Sequence, residues 1–355
     1  MDNYSRYGDM LGRWLPSPDG VCGAACHRYY VVYKMGLALS IYHAIQATLL
    51  VGVEDSSDRR AIIQEGFWPL KLVALLLLTG GALYLPPRLI NYLFYPTLCM
   101  GVIFVLVQTV MLVDLAYDWA ESMLEKAGEG SEAFKSLLIG STLFLALSTV
   151  AVIISVWIYF ERETDRTLIT VNAILLVIMT ICSVLPNVQE ANPSSGIFQS
   201  SLLGLYSLLV IIGAFINNPN RPRKPNYMAI NYPILSKLVS VFSVVYAFLA
   251  LAHSAFSTGS NLHRMVPDQE KVQDDSDEAA GAYNYSLFHA SFMMASFYTI
   301  LYVTFWQHVS LVNGTTYIIV DSSLAYWSRV FSSWMTMGLY IWSLFAPLIL
   351  EDRSF

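Results

Sequence analysis

Between Thr97 and Lys126 the chain reads TLCMGVIFVLVQTVMLVDLAYDWAESMLEK, and no other stretch limits the fold as tightly. It is apolar from Leu98 to Val113, then turns acidic without a helix breaker. As one α-helix of roughly 30 residues it would extend about 45 Å at 1.5 Å per residue. The hydrocarbon core of a bilayer is only about 30 Å thick. Such a helix must tilt strongly or project past the membrane. Asp114, Asp118, Glu121 and Glu125 follow at steps of four, three and four, so they share one face. Asp114 still lies inside the apolar run, where an ionisable side chain needs a partner or a water-filled cavity.

The rest of the chain is of the same kind. Hydrophobic residues make up 55% and charged residues 13%, against about 25% charge in a soluble domain. This is the composition of an integral membrane protein, and no polar segment is long enough to bury a core of its own. The net charge of −6 argues against a nucleic-acid partner. Aromatic residues at 14% suit anchoring at the two interfaces.

Read in order, the chain predicts an all-α polytopic protein with about nine spans. Residues 1–27 form a polar arm. Residues 28–96 hold the first bundle, with span one near 33–53, carrying His43 and Gln46, and span two near 67–85, completed by later spans. Pro86-Pro87 forces a break, and Pro96 is either the first residue of the long helix or a kink in it. The long helix takes 97–126, and Gly128-Glu-Gly130 ends it. A second group of spans fills 137–256: four near 137–160, five near 168–185, six near 197–216 and seven near 235–255. NVQEANPSSG reads as a turn and NNPNRPRKPNY as a rigid basic loop. Residues 257–282 are an acidic, disordered cytosolic loop, 283–350 hold spans eight and nine, and 351–355 form a tail.

Cys99 and Cys182 lie in apolar runs and read as small buried hydrophobes. Cys22 and Cys26 lack a second pair of metal ligands nearby, which leaves a disulfide, acylation or free thiols open. His43, His253 and His289 are scattered and read as satisfied core histidines rather than metal ligands. Asn3 and Asn313 open glycosylation sequons. With nine spans both fall on one side, which orients the N-terminus to the lumen or exterior and the C-terminus to the cytosol. HExxH, GxSxG, Walker and CxxC signatures are absent, so neither catalysis nor a metal or cofactor is expected.

Several blocks resemble the serine incorporator (Serinc) family of polytopic membrane proteins. Ser56-Ser57-Asp58-Arg59-Arg60 with Gly66-Phe67-Trp68 and Lys71 is similar to its SSDPR…GFW..K segment. Gln108, Leu112, Asp114, Trp119 and Glu121 are similar to its Q..LL.DF.H.WNE block. Leu185-Pro186-Asn187-Val188-Gln189-Glu190 with Pro193, Ser195-Gly196 and Gln199 resembles LP..QE..P.SGL.QSS. Tyr283-Asn-Tyr285-Ser286-Leu-Phe288-His289 resembles YSYSFFH, and Trp327 to Pro347 resembles the closing helix. Tyr117 and Asp118 depart from the usual His and Ser, and the family's additional helix before span one is missing. The resemblance implies two helix bundles joined by a long tilted helix. It also implies energy-independent scrambling of phospholipids and support of serine incorporation into phosphatidylserine and sphingolipids.

The residues expected to matter are Lys71, Gln108, Asp114, Asp118, Gln199 and His289. A Lys71–Asp114 ion pair would satisfy both charges at membrane depth. The set is either a structural clamp on the long helix or a polar path for lipid headgroups, holding bound phospholipid or sphingolipid. Partners are membrane lipids, with the chain acting alone, as a homo-oligomer, or as a subunit of a larger membrane assembly. In the last case a partner helix or lipid would fill the place of the missing first helix.

Overall fold

A computed structural model describes residues 21–53, 58–128, 131–160, 162–192, 195–216, 218–220, 285–313 and 316–349. Expected span seven with His253, the loop at 257–282, Asn3, the tail at 351–355, and most of the polar arm and basic loop lie outside the described residues. The chain falls into two compact units: Met1–Phe104 with Pro219–Ser322, and Val105–Asn218 with Ser323–Phe355.

In the first unit, strand β1 (Val21–Cys22) leads into α1 (Ala24–Leu49). The helix starts nine residues ahead of the expected Tyr33, because the apolar run was taken as its limit while Ala24-Ala25, the best helix formers, open the helix before it. Next come α2 (Ala61–Glu65) and α3 (Trp68–Leu83). Phe67, at φ 56°, turns the chain between them, and Pro69 falls in the first turn of α3, where its missing N–H costs nothing. Further along the chain, α9 (Tyr285–Val303) packs along α1. Gly36 permits that approach, since any side chain there would run into Ile300.

A small sheet completes this unit, and the all-α reading did not include it. Strands β2 (Gln307–Val312) and β3 (Thr316–Asp321) form an antiparallel hairpin, and β1 joins β3 in parallel with Val21 opposite Thr316. The cause is visible in the residues. HVSLV and TYIIV are rich in β-branched residues, and Asn313 after the first of them adopts φ 53°, as a tight hairpin turn demands.

The long helix α4 runs from Pro87 to Gly128, 42 residues, or about 63 Å. It begins ten residues before the expected Thr97. Pro87 opens the helix rather than only breaking the chain, and Pro96 is inside it. Residues 87–104 belong to the first unit and 105–128 to the second.

The second unit contains α5 (Glu132–Tyr159), α6 (Glu163–Ser183), the short α7 (Pro186–Ala191), α8 (Ile197–Ile216) and α10 (Ser323–Ile349). The segment expected as a plain turn thus includes α7. Helix α8 is the centre, packed against α5, α6 and α10. Phe215, Ile211, Ile169 and Val330 form one fully buried core, and Met179, Leu203, Met337 and Leu344 another. Lipid is as apolar as these side chains, so polar hooks fix which helices meet. Ser333 on α10 receives a hydrogen bond from Asn172 Nδ2 on α6 at 2.9 Å and pairs with Ser207 on α8 at 2.8 Å. Thr109 and Thr336 pair at 3.1 Å.

Among the described residues, five helices are long and apolar enough to cross a membrane: Pro87–Lys126, Glu132–Ile158, Glu163–Ser183, Ile197–Ile216 and Tyr285–Val303. They match expected spans three, four, five, six and eight. Helices α1, α3 and α10 occupy the positions of spans one, two and nine, and α3 is the short one at 16 residues.

Candidate functional site

Four helix ends of the first unit bring a polar cluster together. His43 comes from the last third of α1, Gln64 from α2, Lys71 from the first turn of α3 and His289 from the start of α9. The Lys71 ammonium donates to the Gln64 carbonyl at 2.6 Å and stands 4.4 Å from the centre of the Trp68 ring. The side chain of the same Gln64 faces His289, with Oε1 2.7 Å from Nε2. With that oxygen as acceptor, His289 carries its proton on Nε2. Its Nδ1 then accepts from Nδ1–H of His43, 3.0 Å away. His43 also stacks on Phe292 at 5.0 Å.

Neighbouring groups brace this chain of bonds. Ser286 donates to the Ala47 carbonyl at 2.9 Å, and Tyr285 to Glu65 at 3.3 Å. Asp58 and Arg60 pair at 2.9 Å in the link before α2, and Arg60 also donates to the Val51 carbonyl. The Arg60 hydrogen bonds hold the partly exposed Asp58 carboxyl below its ordinary range. Beside the cluster, Trp68, Leu72, Val73, Leu76 and Leu77 of α3 are all at least half exposed, an apolar surface suited to acyl chains.

The expected site residues divide between the two units, Lys71 and His289 in the first and the others in the second. Lys71 and His289 meet through Gln64. The ammonium of Lys71 is engaged by Gln64 and Trp68. The reason is local: a flexible four-carbon stem in the first turn of α3 reaches back to the carbonyl at the end of α2. In the second unit, Asp114 is half-buried and partnered, and Gln199 is fully buried and partnered. Gln108 is buried with its Oε1 unpaired, and Asp118 is exposed with Glu121 and Glu125. No group of three His, Cys, Asp or Glu side chains able to hold a metal occurs among the described residues.

Gln64 and His43 were not among the expected site residues. Gln64 sits in the polar link, where nothing in its spacing marks it. The signal for His43 was its position opposite His289 on a second apolar helix. Lys34 was missed as well. It is 2% exposed and donates to the Leu83 carbonyl at 2.9 Å, closing the C-terminus of α3.

Of the three readings for Cys22 and Cys26, the disulfide is the one observed, and it ties β1 to the first turn of α1. Cys182 is half-buried, but Cys99 is exposed and is not the buried residue expected. In a membrane an apolar run does not imply burial, since the outward face of a helix is apolar too. Asn313 is exposed at the hairpin turn.

Long apolar helices and a polar cluster at their ends, beside an exposed apolar face, define a polytopic helical membrane protein. The chain belongs to the Serinc family: the family described as serine incorporator matches residues 12–273 and 260–353. It is 28% identical to serine incorporator 3 of Mus musculus over 92% of this chain and 80% of that protein. Identity to serine incorporator 2 of Bos taurus is 30%, over 94% and 80%. Membrane protein TMS1 of Saccharomyces cerevisiae is 27% identical, over 94% and 82%.

Proposed function

We propose that this chain acts on membrane lipids without catalysis, by energy-independent scrambling of phospholipids, by supporting serine incorporation into phosphatidylserine and sphingolipids, or by both. The observation that carries the reading is the Lys71–Trp68 pair at the mouth of the His43–His289–Gln64 cluster. A cation over an aromatic ring offers phosphate a charged contact at headgroup depth, and the apolar face of α3 offers the acyl chains a surface. Scrambling needs such a hydrated route beside lipid, not a nucleophile or a metal.

The chain's N-terminal side is assigned to the lumen or exterior. The disulfide supports this, because cytosolic thiols are kept reduced. Glycosylation at Asn313 would fall on the same side, since β3 pairs with β1.

The test is reconstitution of the purified chain into liposomes carrying a fluorescent phospholipid, followed by chemical quenching from outside. Wild-type protein should expose nearly all of the label. Lys71→Ala should slow the exchange and Lys71→Arg should retain most of it. A wild-type rate equal to that of empty liposomes would remove scrambling. Stoichiometric co-purification of another membrane protein would then favour the alternative, a non-catalytic assembly subunit.

A further inference from the structure

Helix α3 is short for the bilayer it has to cross. Its 16 residues extend about 24 Å at 1.5 Å per residue, against about 30 Å of hydrocarbon. Tilting would shorten its reach further. Both ends carry an aromatic ring turned outward: Trp68, the first residue, is 67% exposed, and Tyr84, directly after the last, is 68% exposed. The indole N–H of Trp68 donates to the Glu65 carbonyl at 3.0 Å, which fixes the ring at that end. Indole and phenol rings settle at headgroup depth. Between them lie Leu70, Leu72, Val73, Leu76 and Leu77, all at least half exposed.

Two cations mark the same limits independently of the rings. The Lys71 ammonium reaches back to the Gln64 carbonyl, ahead of the helix, and stands beside the Trp68 ring. Lys34 belongs to α1, which packs along α3, and its ammonium donates to the carbonyl of Leu83, the last residue of α3. An ammonium inside hydrocarbon is costly, so each is favoured near headgroups or water. Both can be there at once only where the hydrocarbon is no thicker than α3 is long.

A short apolar span is accommodated by snorkelling, by oligomerisation or by a thinner bilayer. Snorkelling is already in use at Lys71, and the two rings are stiff. Helices associate in lipid through small and polar side chains, whereas the five exposed residues between the rings are large and aliphatic. We propose that α3 thins the bilayer beside the first unit to about 24 Å of hydrocarbon, its exposed face being covered by phospholipid acyl chains drawn in from both leaflets. The consequence for exchange rests on the scrambling reading: a headgroup passing along α3 crosses about 6 Å less hydrocarbon than elsewhere, with the Lys71–Trp68 pair at one end of the crossing.

The experiment is a density map of the full-length wild-type protein in dioleoyl phosphatidylcholine nanodiscs, with the headgroup layers resolved. The two layers should approach each other by about 6 Å next to α3, relative to the protein-free part of the disc. Headgroup layers that stay parallel up to α3, or a second protein chain packed on its exposed face, would overturn the proposal. Trp68→Leu combined with Tyr84→Leu removes both ring anchors and should at least halve the dip, and an undiminished dip would overturn the role given to the rings. Lipid exchange is measured on the same wild-type preparation. A dip without exchange supports the thinning and removes the scrambling reading, while exchange beside a flat bilayer does the reverse.

Discussion

The Nδ1 atoms of His43 and His289 lie 3.0 Å apart although 246 residues separate them in the chain. Only one proton fits between two such nitrogens, so the contact needs at least one neutral ring. Replacing His43 with Phe keeps a ring against Phe292 but leaves His289 Nδ1 without its donor. This should cost about 1 kcal/mol in unfolding from mild detergent. His289→Ala should cost more, because Gln64 Oε1 loses its donor too. The double variant should fall short of the sum by at least about 0.5 kcal/mol, the coupling typical of residues in contact. Simple additivity would show that the two histidines do not interact.

Arg329 donates to the Gly213 carbonyl at 2.7 Å, and its guanidinium occupies the space where a side chain at 213 would begin. Gly213→Ala should therefore push the arginine out and destabilise the second unit by about 1–3 kcal/mol. Combining it with Arg329→Ala should recover part of the loss. Thermal midpoints of the three variants check this.

Breaking the Cys22–Cys26 disulfide should loosen the β1–α1 corner rather than unfold the protein. The closed loop spans four positions in sequence, so the chain-entropy effect is modest, about 2 kcal/mol. Cys22→Ser should raise hydrogen exchange in the first turn of α1 and at Thr316 and Tyr317, opposite β1, with little change in α10.

The hairpin should weaken in acid. Burial lowers the pKa of His308 from the ordinary 6.5, against a smaller upward pull from Asp321. The unfolded strand then binds more protons than the folded one between the two values. Hairpin stability is full above about pH 6.5 and declines as pH falls toward the folded-state value. Hydrogen exchange of β2 and β3 should rise from neutral to mildly acidic pH, and His308→Gln should flatten that rise.

Much of the helical layout could be read from apolar runs alone. Span six matched α8 at both ends, while spans four and five each began five residues inside the observed helix. The errors have physical causes. Pro87 was read as a breaker, although proline also opens helices, so α4 gained ten residues. The Asn313-Gly314 pair was read for its sequon and not for the hairpin turn that the flanking β-branched residues required. Within the site, Lys71 and His289 stood out because charge and imidazole are rare in apolar surroundings. Their link could not be seen, because it runs through the Gln64 carbonyl as well as its side chain. A backbone acceptor carries no mark in a sequence.

The interleaving of the two units has a consequence for synthesis. Helix α1 leaves the ribosome early, yet the helix that packs along it, α9, is made only some 240 residues later, as the 246-residue separation of His43 and His289 requires. The second unit begins with the latter half of α4 and needs α10, near the end of the chain. The first unit cannot close before α9 is made, nor the second before α10. During that interval Gly36, His43 and the notch for Ile300 face lipid or insertion factors instead of their own fold. Truncations that remove α10 therefore leave the second unit unfinished, and those that also remove α9 leave both open to the quality-control machinery of the membrane.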